Sequence, residues 1–187
     1  MIVTPREFKK GMIIELEGAL WSVEDYHIQG TAQRKPMVAC RLRNIRTGRV
    51  VERSLDEHMS IEAPDTETRQ AQYLYFDGQK HVFMDTENYD QFEVDQVLVE
   101  GYEWLLKDGA EFPIRFVAGE PVQVVFPHHI VDEVVETAEP AAGGPTNVWK
   151  EAKLSSGAVV MVPQHIKVGD KIKVEVATRE YMGKESK

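Results

Sequence analysis

The sequence predicts an all-β protein assembled from small barrels, and three observations carry that expectation. Strand-like runs and turn signals recur about every 8 to 12 residues almost from end to end, the rhythm of sandwiches and barrels rather than of alternating strands and helices. Apolar and charged residues alternate with period two where a strand has one buried and one wet face, as in Ile172, Val174 and Val176 set against Lys171, Lys173 and Glu175. One segment alone, Gln96 to Lys107, carries the spacing of a helix, with Val97, Leu98, Trp104 and Leu105 on its apolar side and Gly101 weakening it.

Taken in order, strands are expected at Met12 to Leu16 and Leu20 to His27, joined at Glu17-Gly18, and at Met37 to Ile45 and Arg49 to Leu55, joined at Arg46-Thr47-Gly48. A longer connection, Gln29 to Pro36, joins the second strand to the third. Gln72 to Phe76 and Lys80 to Met84 flank Asp77-Gly78, the strongest short-range hairpin signal in the chain. A further strand pair precedes Phe126-Pro127-His128. In the last third, Leu154 approaches a hairpin turn at Ser155-Ser156-Gly157. Val159 to Val162 is then a short apolar run ended by Pro163, which has no N–H for a ladder. A second turn at Gly169-Asp170 leads into the alternating segment already described.

The 187 residues are 42% hydrophobic, enough for ordinary cores. Ala63-Pro64-Asp65 and Phe126-Pro127-His128 divide the chain into domains at 1–63, 64–127 and 128–187, with a small-residue loop from Ala138 to Thr146 inside the last. Barrels of about 60 residues stand near the lower limit for a self-sufficient core, so packing in series with stabilising interfaces is expected. No apolar run approaches the roughly 20 residues of a membrane-spanning helix, and no N-terminal segment resembles a signal peptide. A soluble, cytoplasmic protein with no membrane partner is the expectation.

The net charge of −9 is distributed unevenly. Lys and Arg number 10 against 9 Asp and Glu in residues 1–63, 4 against 13 in 64–127, and 8 against 9 in 128–187. The acidity therefore sits in the middle third. Between His27 and Arg53 stand Arg34, Lys35, Arg41, Arg43, Arg46, Arg49 and Arg53, opposed within the segment only by Glu52. Such a local basic surface on an acidic protein can meet phosphate while the rest of the molecule resists non-specific RNA binding. Arg41 and Arg43 share a strand face opposite Val38, Cys40 and Leu42, so they are expected to be exposed together, with Arg46, Arg49 and Arg53 behind them.

Residues 150 to 169 carry the most specific spacing: Lys150-x-Ala152, four residues, Gly157, two residues, Val160-x-Val162-Pro163, two residues, Ile166, two residues, Gly169. This resembles the C-terminal signature of bacterial elongation factor P. The likeness extends along nearly the whole chain. Phe8-Lys9-Lys10-Gly11-Met12 is similar to the family's opening strand, Arg46-Thr47-Gly48 to its turn, Tyr73 to Met84 to its central hairpin and Gly169 to Tyr181 to its ending. Ile28-Gln29 before the loop, Arg34 within it and Tyr181-Met182-Gly183-Lys184 at the end resemble the elongation-factor-P-like subgroup.

The resemblance implies a KOW/SH3-like barrel followed by two OB-type barrels, arranged in an L shaped like a tRNA. It implies a non-catalytic translation factor, monomeric and free of cofactors, whose partners are the ribosome, through rRNA and ribosomal proteins, and peptidyl-tRNA. Such a factor relieves stalls at consecutive prolines, and its first-domain loop sets a basic residue near the tRNA acceptor end. Here that loop is Gly30-Thr31-Ala32-Gln33-Arg34-Lys35-Pro36, with Arg34 expected at the tip and Lys35 or Gln33 as the alternatives. A hairpin arm of five or six residues would extend roughly 17 to 20 Å. Many members carry a modified lysine or arginine at this tip; Arg34 or Lys35 would be the position, although the residues around them match neither common context. Arg41, Arg43, Arg46, Arg49 and Arg53 are the expected tRNA or rRNA phosphate contacts, and Lys150, Lys153, Lys167, Lys171 and Lys173 the candidates on the small subunit. The loop also counts about one residue shorter than the common family form, and residues 138–149 lack the Gly-Asp-Thr motif that precedes the family signature.

Catalytic chemistry has no recognisable motif. Asp85, Glu87, Asp90, Glu93 and Asp95 form an acidic run without the central glycine or ligand spacing of a calcium loop, and are expected to be a solvated edge. His128 and His129 are adjacent on an expected strand, so their side chains diverge. There is no nucleophile elbow, phosphate-binding glycine loop or zinc-type cysteine cluster, and no metal site is expected. The single cysteine, Cys40, is expected in a core. Two rival classes remain open to the sequence: an acidic β-barrel adaptor for basic proteins, and a hydrolase using two carboxylates of the middle domain.

Overall fold

The computed structural model describes residues 1–30, 33–140, 143 and 147–186, and among these described residues it holds sixteen strands and three short 3-10 turns. Thr31 and Ala32 of the expected tip loop, and residues 141, 142 and 144–146 of the expected small-residue loop, lie outside the described residues. The strands are β1 (Ile2–Val3), β2 (Ile13–Leu16), β3 (Ala19–Gln29), β4 (Met37–Asn44), β5 (Val50–Asp56) and β6 (Ile61–Glu62), then β7 (Glu67–Phe76), β8 (Lys80–Asp85), β9 (Gln91–Asp95), β10 (Glu111–Val117) and β11 (Glu120–Val124). The last set is β12 (His129–Thr137), β13 (Trp149–Leu154), β14 (Val159–Pro163), β15 (Lys171–Glu175) and β16 (Glu180–Lys184). They form three sheets, ordered β1-β6-β2-β3-β4-β5, β11-β10-β7-β8-β9 and β14-β13-β12-β15-β16.

Residues 1–99 and 111–124 form one compact unit, and residues 100–110 and 125–187 a second. In the first, the β1–β6 and β7–β11 sheets are joined by Arg115. Its Nη1 donates to Gly11 O at 2.7 Å and to Gln123 Oε1 at 3.1 Å, and its Nη2 donates to Thr66 Oγ1 at 3.1 Å. In the second unit, Trp104 packs against the core of the β12–β16 sheet, so that core includes a side chain from a stretch the sequence places in the middle third.

The expected helix at Gln96 to Lys107 does not form. Two 3-10 turns, Gln96–Leu98 and Glu103–Leu105, take its place, separated by Gly101 at φ 86°. A left-handed residue breaks the i to i−4 ladder, and neither flanking piece reaches the length at which helix propagation offsets nucleation.

The first core holds Val3, Phe8, Ile14, Leu16, Val23, Cys40, Leu42 and Ile61, with Trp21 and Tyr26 packed on it. Cys40 is buried there as expected, and burial pushes its thiol up, with Arg53 opposing the effect only in part. In the middle sheet Phe83, Phe92 and Phe116 stack edge and face around Val94 and Ile114. His81 is buried between Tyr73 Oη, 3.2 Å from Nδ1, and Gln96 Oε1, 2.6 Å from Nε2, so its ring nitrogens are both engaged. The acidic run nearby is not uniformly solvated. Asp85 is buried and accepts the N–H groups of Glu87 and Asn88, which makes it a turn cap rather than a surface charge.

The distinctive spacing at 150–169 turns out to be architecture. Ala152, Val160, Val162 and Ile166 are buried in the third core, and Gly157 takes φ 89° in the β13–β14 turn, a conformation that a side chain disfavours. That turn is clamped by Asp132 of β12, which accepts the Ser155 hydroxyl and, at 3.2 Å, the Ser156 N–H. Burial works against the Asp132 charge, yet these bonds and the Glu133 N–H outweigh it and hold the carboxyl below its usual range.

A depressed carboxyl stabilises the fold above its unfolded value and loses that contribution as pH falls through the lower folded value. Asp132→Ala is therefore expected to cost about 1–3 kcal/mol at neutral pH. The difference from the native chain should shrink as pH drops below about 4. Denaturant unfolding of both forms across that range measures it.

Candidate nucleic-acid interface

The basic segment is organised by β4. Val38, Cys40 and Leu42 point to the interior and Arg41 and Arg43 to the outside, because β4 lies between β3 and β5 with one face sealed. Eight residues of strand place the Gly30–Pro36 loop at one end and the Arg46–Arg49 turn at the other, about 25 Å apart. The cations thus form a stripe along one strand rather than a patch.

At the loop end, Gln33, Arg34 and Lys35 are all exposed. The two ends of the loop are neighbours: a Cβ built on Gly30 would lie 3.4 Å from Pro36 Cα, in van der Waals contact. Just below it, the Gln29 side-chain amide lies 2.7 Å from His27 Nε2. Among the described residues the β3–β4 hairpin leading to the loop is paired from Tyr26 opposite Cys40 to Gln29 opposite Met37, and it is not a two-stranded arm standing alone. β5 continues beside β4 as far as Asp56 opposite Met37, so the loop springs directly from a three-stranded sheet. A third strand hydrogen-bonded alongside makes that base stiffer than a two-stranded ribbon.

The pairing of the cations separates them into two groups. None of the ion pairs formed among the described residues involves Arg34, Lys35, Arg46 or Arg49. Arg41 and Arg43 instead share Glu24, and Arg53 pairs with Glu17 at 3.3 Å. Glu52, opposite Arg41 in the ladder, is therefore not the only acid nearby; the others arrive from β3 and the β2–β3 turn. Arg53 also lies opposite Cys40, on the core-side face of β5 between Val51 and Leu55, and reaches solvent at the sheet edge. It does not share the face of Arg41 and Arg43.

Of the lysines in the second unit, Lys153, Lys167 and Lys171 are exposed and Lys173 is half-buried. Lys153 stands opposite Glu136 and Lys171 opposite Glu133, so each has an acid across the ladder. Lys150 is a correction to the expected surface set. It is only 8% exposed, and its Nζ donates to Ala138 O, because it falls on the same inward face as Ala152 and Leu154. Its ammonium is turned to that carbonyl rather than out to solvent. The signal was available in its parity with those two residues.

Among the described residues no group of three or more His, Cys, Asp or Glu is placed to hold a metal ion, and no helix is long and apolar enough to cross a membrane.

Lys150→Ala should cost about 1–3 kcal/mol, since it empties the space of a buried side chain and removes its bond to Ala138 O. Lys153→Ala should change stability by less than about 0.5 kcal/mol. Parallel denaturant melts of the two variants separate the buried lysine from the surface one.

Comparison with known proteins covers nearly the entire chain. Residues 5–58 match the elongation factor P KOW-like domain, 66–124 its OB domain and 130–184 its C-terminal domain. An elongation factor P from Nitratidesulfovibrio vulgaris (strain DP4) is 40% identical over 181 residues, which is 96% of this chain and 97% of that protein. One from Clostridioides difficile (strain 630) is 36% identical over 185 residues, covering 98% of this chain and all of the other. Among solved structures, a eukaryotic translation initiation factor 5A from Methanococcus jannaschii superposes with a TM-score of 0.52 at 20% identity, over 67% of this chain and 94% of that one, a likeness of fold. With all three domain models matched in order and relatives similar over almost their full length, the chain belongs to the elongation factor P family of translation elongation factors.

Proposed function

We propose that the protein binds the ribosome beside peptidyl-tRNA and speeds peptide-bond formation where consecutive prolines stall it, with Arg34 as the group presented to the tRNA acceptor end. The observation that carries this reading is the end of the β4 stripe: Gln33, Arg34 and Lys35 are exposed, neither cation takes part in an ion pair among the described residues, and the loop stands on a three-stranded base. Arg41, Arg43, Arg46 and Arg49 lie behind it along the strand and its turn, where they suit successive phosphates. Arg53 and the exposed lysines of the second unit are assigned secondary phosphate contacts, and Lys150 none. The protein acts in the cytoplasm as a monomer with domains at 1–63, 64–127 and 128–187.

The physical need is positional. Proline's ring fixes φ and hinders approach of the reacting groups, so the nucleophile and the ester spend little time in attacking geometry. A factor that holds the acceptor end reduces the entropy lost on reaching the transition state. The ribosome supplies the reacting groups, and this protein makes and breaks no bond. An arginine suits the task because its planar fork engages phosphate in two directions and also stacks on bases. Any covalent group on Arg34 or Lys35 would lengthen the same reach.

Arg34→Ala is expected to leave ribosome association nearly intact and to slow synthesis through a proline run about tenfold or more, equivalent to about 1.4 kcal/mol of barrier. A reconstituted translation assay with proline-run and proline-free messages measures it. Lys35→Ala should have the smaller effect; the reverse order would move the tip assignment to Lys35, and no effect of either would contradict the reading.

A further inference from the structure

The acid that pairs with two of the stripe's arginines is held there by an irregularity of the sheet. Val23 faces Leu42 and Asp25 faces Arg41 in the β3–β4 ladder, so Glu24 is an extra residue, the centre of a β-bulge. The bulge turns both acids outward: Asp25 meets Lys10 at 3.1 Å, while Glu24 lies between Arg41 and Arg43. Glu24 Oε1 accepts Arg43 Nε, and Oε2 stands 3.5 Å from Arg41 Nε. Arg43 Nη1 also donates to Gly48 O at 3.3 Å. With Nε and Nη1 committed, the plane of the Arg43 guanidinium is fixed, while the Nη2 hydrogens form none of the hydrogen bonds found among the described residues. The side chains of Arg43 and Arg41 remain 39% and 56% exposed.

We propose that Glu24 is a positioning and selectivity residue of this interface: it aims Arg41 and Arg43 while cancelling one of their two charges. The inference rests on reading β4 as an RNA-facing strand. An exposed ion pair of the ordinary kind adds little to stability. Two long side chains pinned by one carboxylate do, however, enter a complex with less rotamer freedom left to lose. At the same time, affinity for polyanions in general follows the number of phosphates neutralised. A trio carrying one net positive charge attracts unrelated RNA less than two free arginines would. Glu24 therefore weakens indiscriminate binding and leaves the directed donors for a phosphate that arrives in register with the rest of the stripe.

The test uses the full chain with Glu24→Gln, which keeps an oxygen for Arg43 but removes the charge, and Glu24→Ala, which removes both. Binding to an unrelated RNA duplex is followed by fluorescence anisotropy over a salt series. Both variants should bind about three- to tenfold more tightly at low salt, with a salt slope steeper by about one phosphate. In the proline-run translation assay Glu24→Gln should stay near wild type and Glu24→Ala should fall below it, a split that a purely structural pair would not produce. Unchanged duplex affinity and slope in both folded variants would overturn the proposal, and equal translation by the two variants would overturn its positioning half. Should Glu24→Gln melt early, Arg41→Gln and Arg43→Gln supply the converse: each should flatten the duplex salt slope, and a slope unchanged in both would overturn the proposal. The duplex measurement contains no ribosome, so it decides the role of Glu24 even if Arg34→Ala proves silent and the functional reading fails.

Discussion

Burial of Val38, Cys40 and Leu42 on one face of β4 governs the direction of every other side chain on that strand. A slip of one residue in the β3–β4 or β4–β5 ladder would turn Arg41 and Arg43 into the core and the three apolar residues out to solvent. The cost of burying two unpaired guanidinium groups makes that alternative inaccessible. The register is pinned on both sides, from Gln29 opposite Met37 to Trp21 opposite Asn44, and from Met37 opposite Asp56 to Arg43 opposite Val50. The loop that carries Arg34 starts where this doubly paired strand begins, so the stiffness of its base follows from the same core that orients the arginines.

Charge is then sorted by pairing rather than by composition. The chain is acidic overall, yet Arg34, Lys35, Arg46 and Arg49 take no part in the ion pairs among the described residues, whereas Arg41, Arg43 and Arg53 are matched to Glu24 and Glu17. The middle sheet shows the complementary economy. Lys80 lies within 3.9 Å of Glu93 and 3.2 Å of Asp95, and Asp85 is withdrawn into a turn. Free cations at the two ends of β4, with partnered ones between them, give the strand an outward field concentrated at the tip loop and the distal turn.

The strands were largely legible because their period-two alternation reflects a buried and a wet face, the same physics that forms them. β4 and β15 were foreseen within one or two residues, and the hairpin at Asp77-Gly78 formed as its turn chemistry requires. Parity also held information that had to be read residue by residue. Lys150 falls in step with Ala152 and Leu154, and Arg53 with Val51 and Leu55, so the burial of the first and the displaced face of the second follow from alternation. The Glu24 clamp was not legible, since it depends on a bulge that shifts register between two strands and leaves no mark in local spacing. The helix expected at 96–107 does not form because Gly101, at positive φ, divides the apolar spacing into two pieces too short to propagate. The residues that made the C-terminal spacing distinctive proved to be core and turn positions, which is why they identify the fold more clearly than the surface that acts.

In the proposed function the loop end of β4 meets the acceptor end of a tRNA while the far turn meets RNA elsewhere. Its most direct test is site-specific photocrosslinking on ribosomes stalled at a proline run, with the reactive group placed at position 33 in one form of the protein and at position 46 in another. Position 33 is expected to mark the terminal nucleotides of peptidyl-tRNA, and position 46 to mark RNA well away from them. Crosslinks from position 33 confined to ribosomal protein, or the same RNA site marked from both positions, would contradict it.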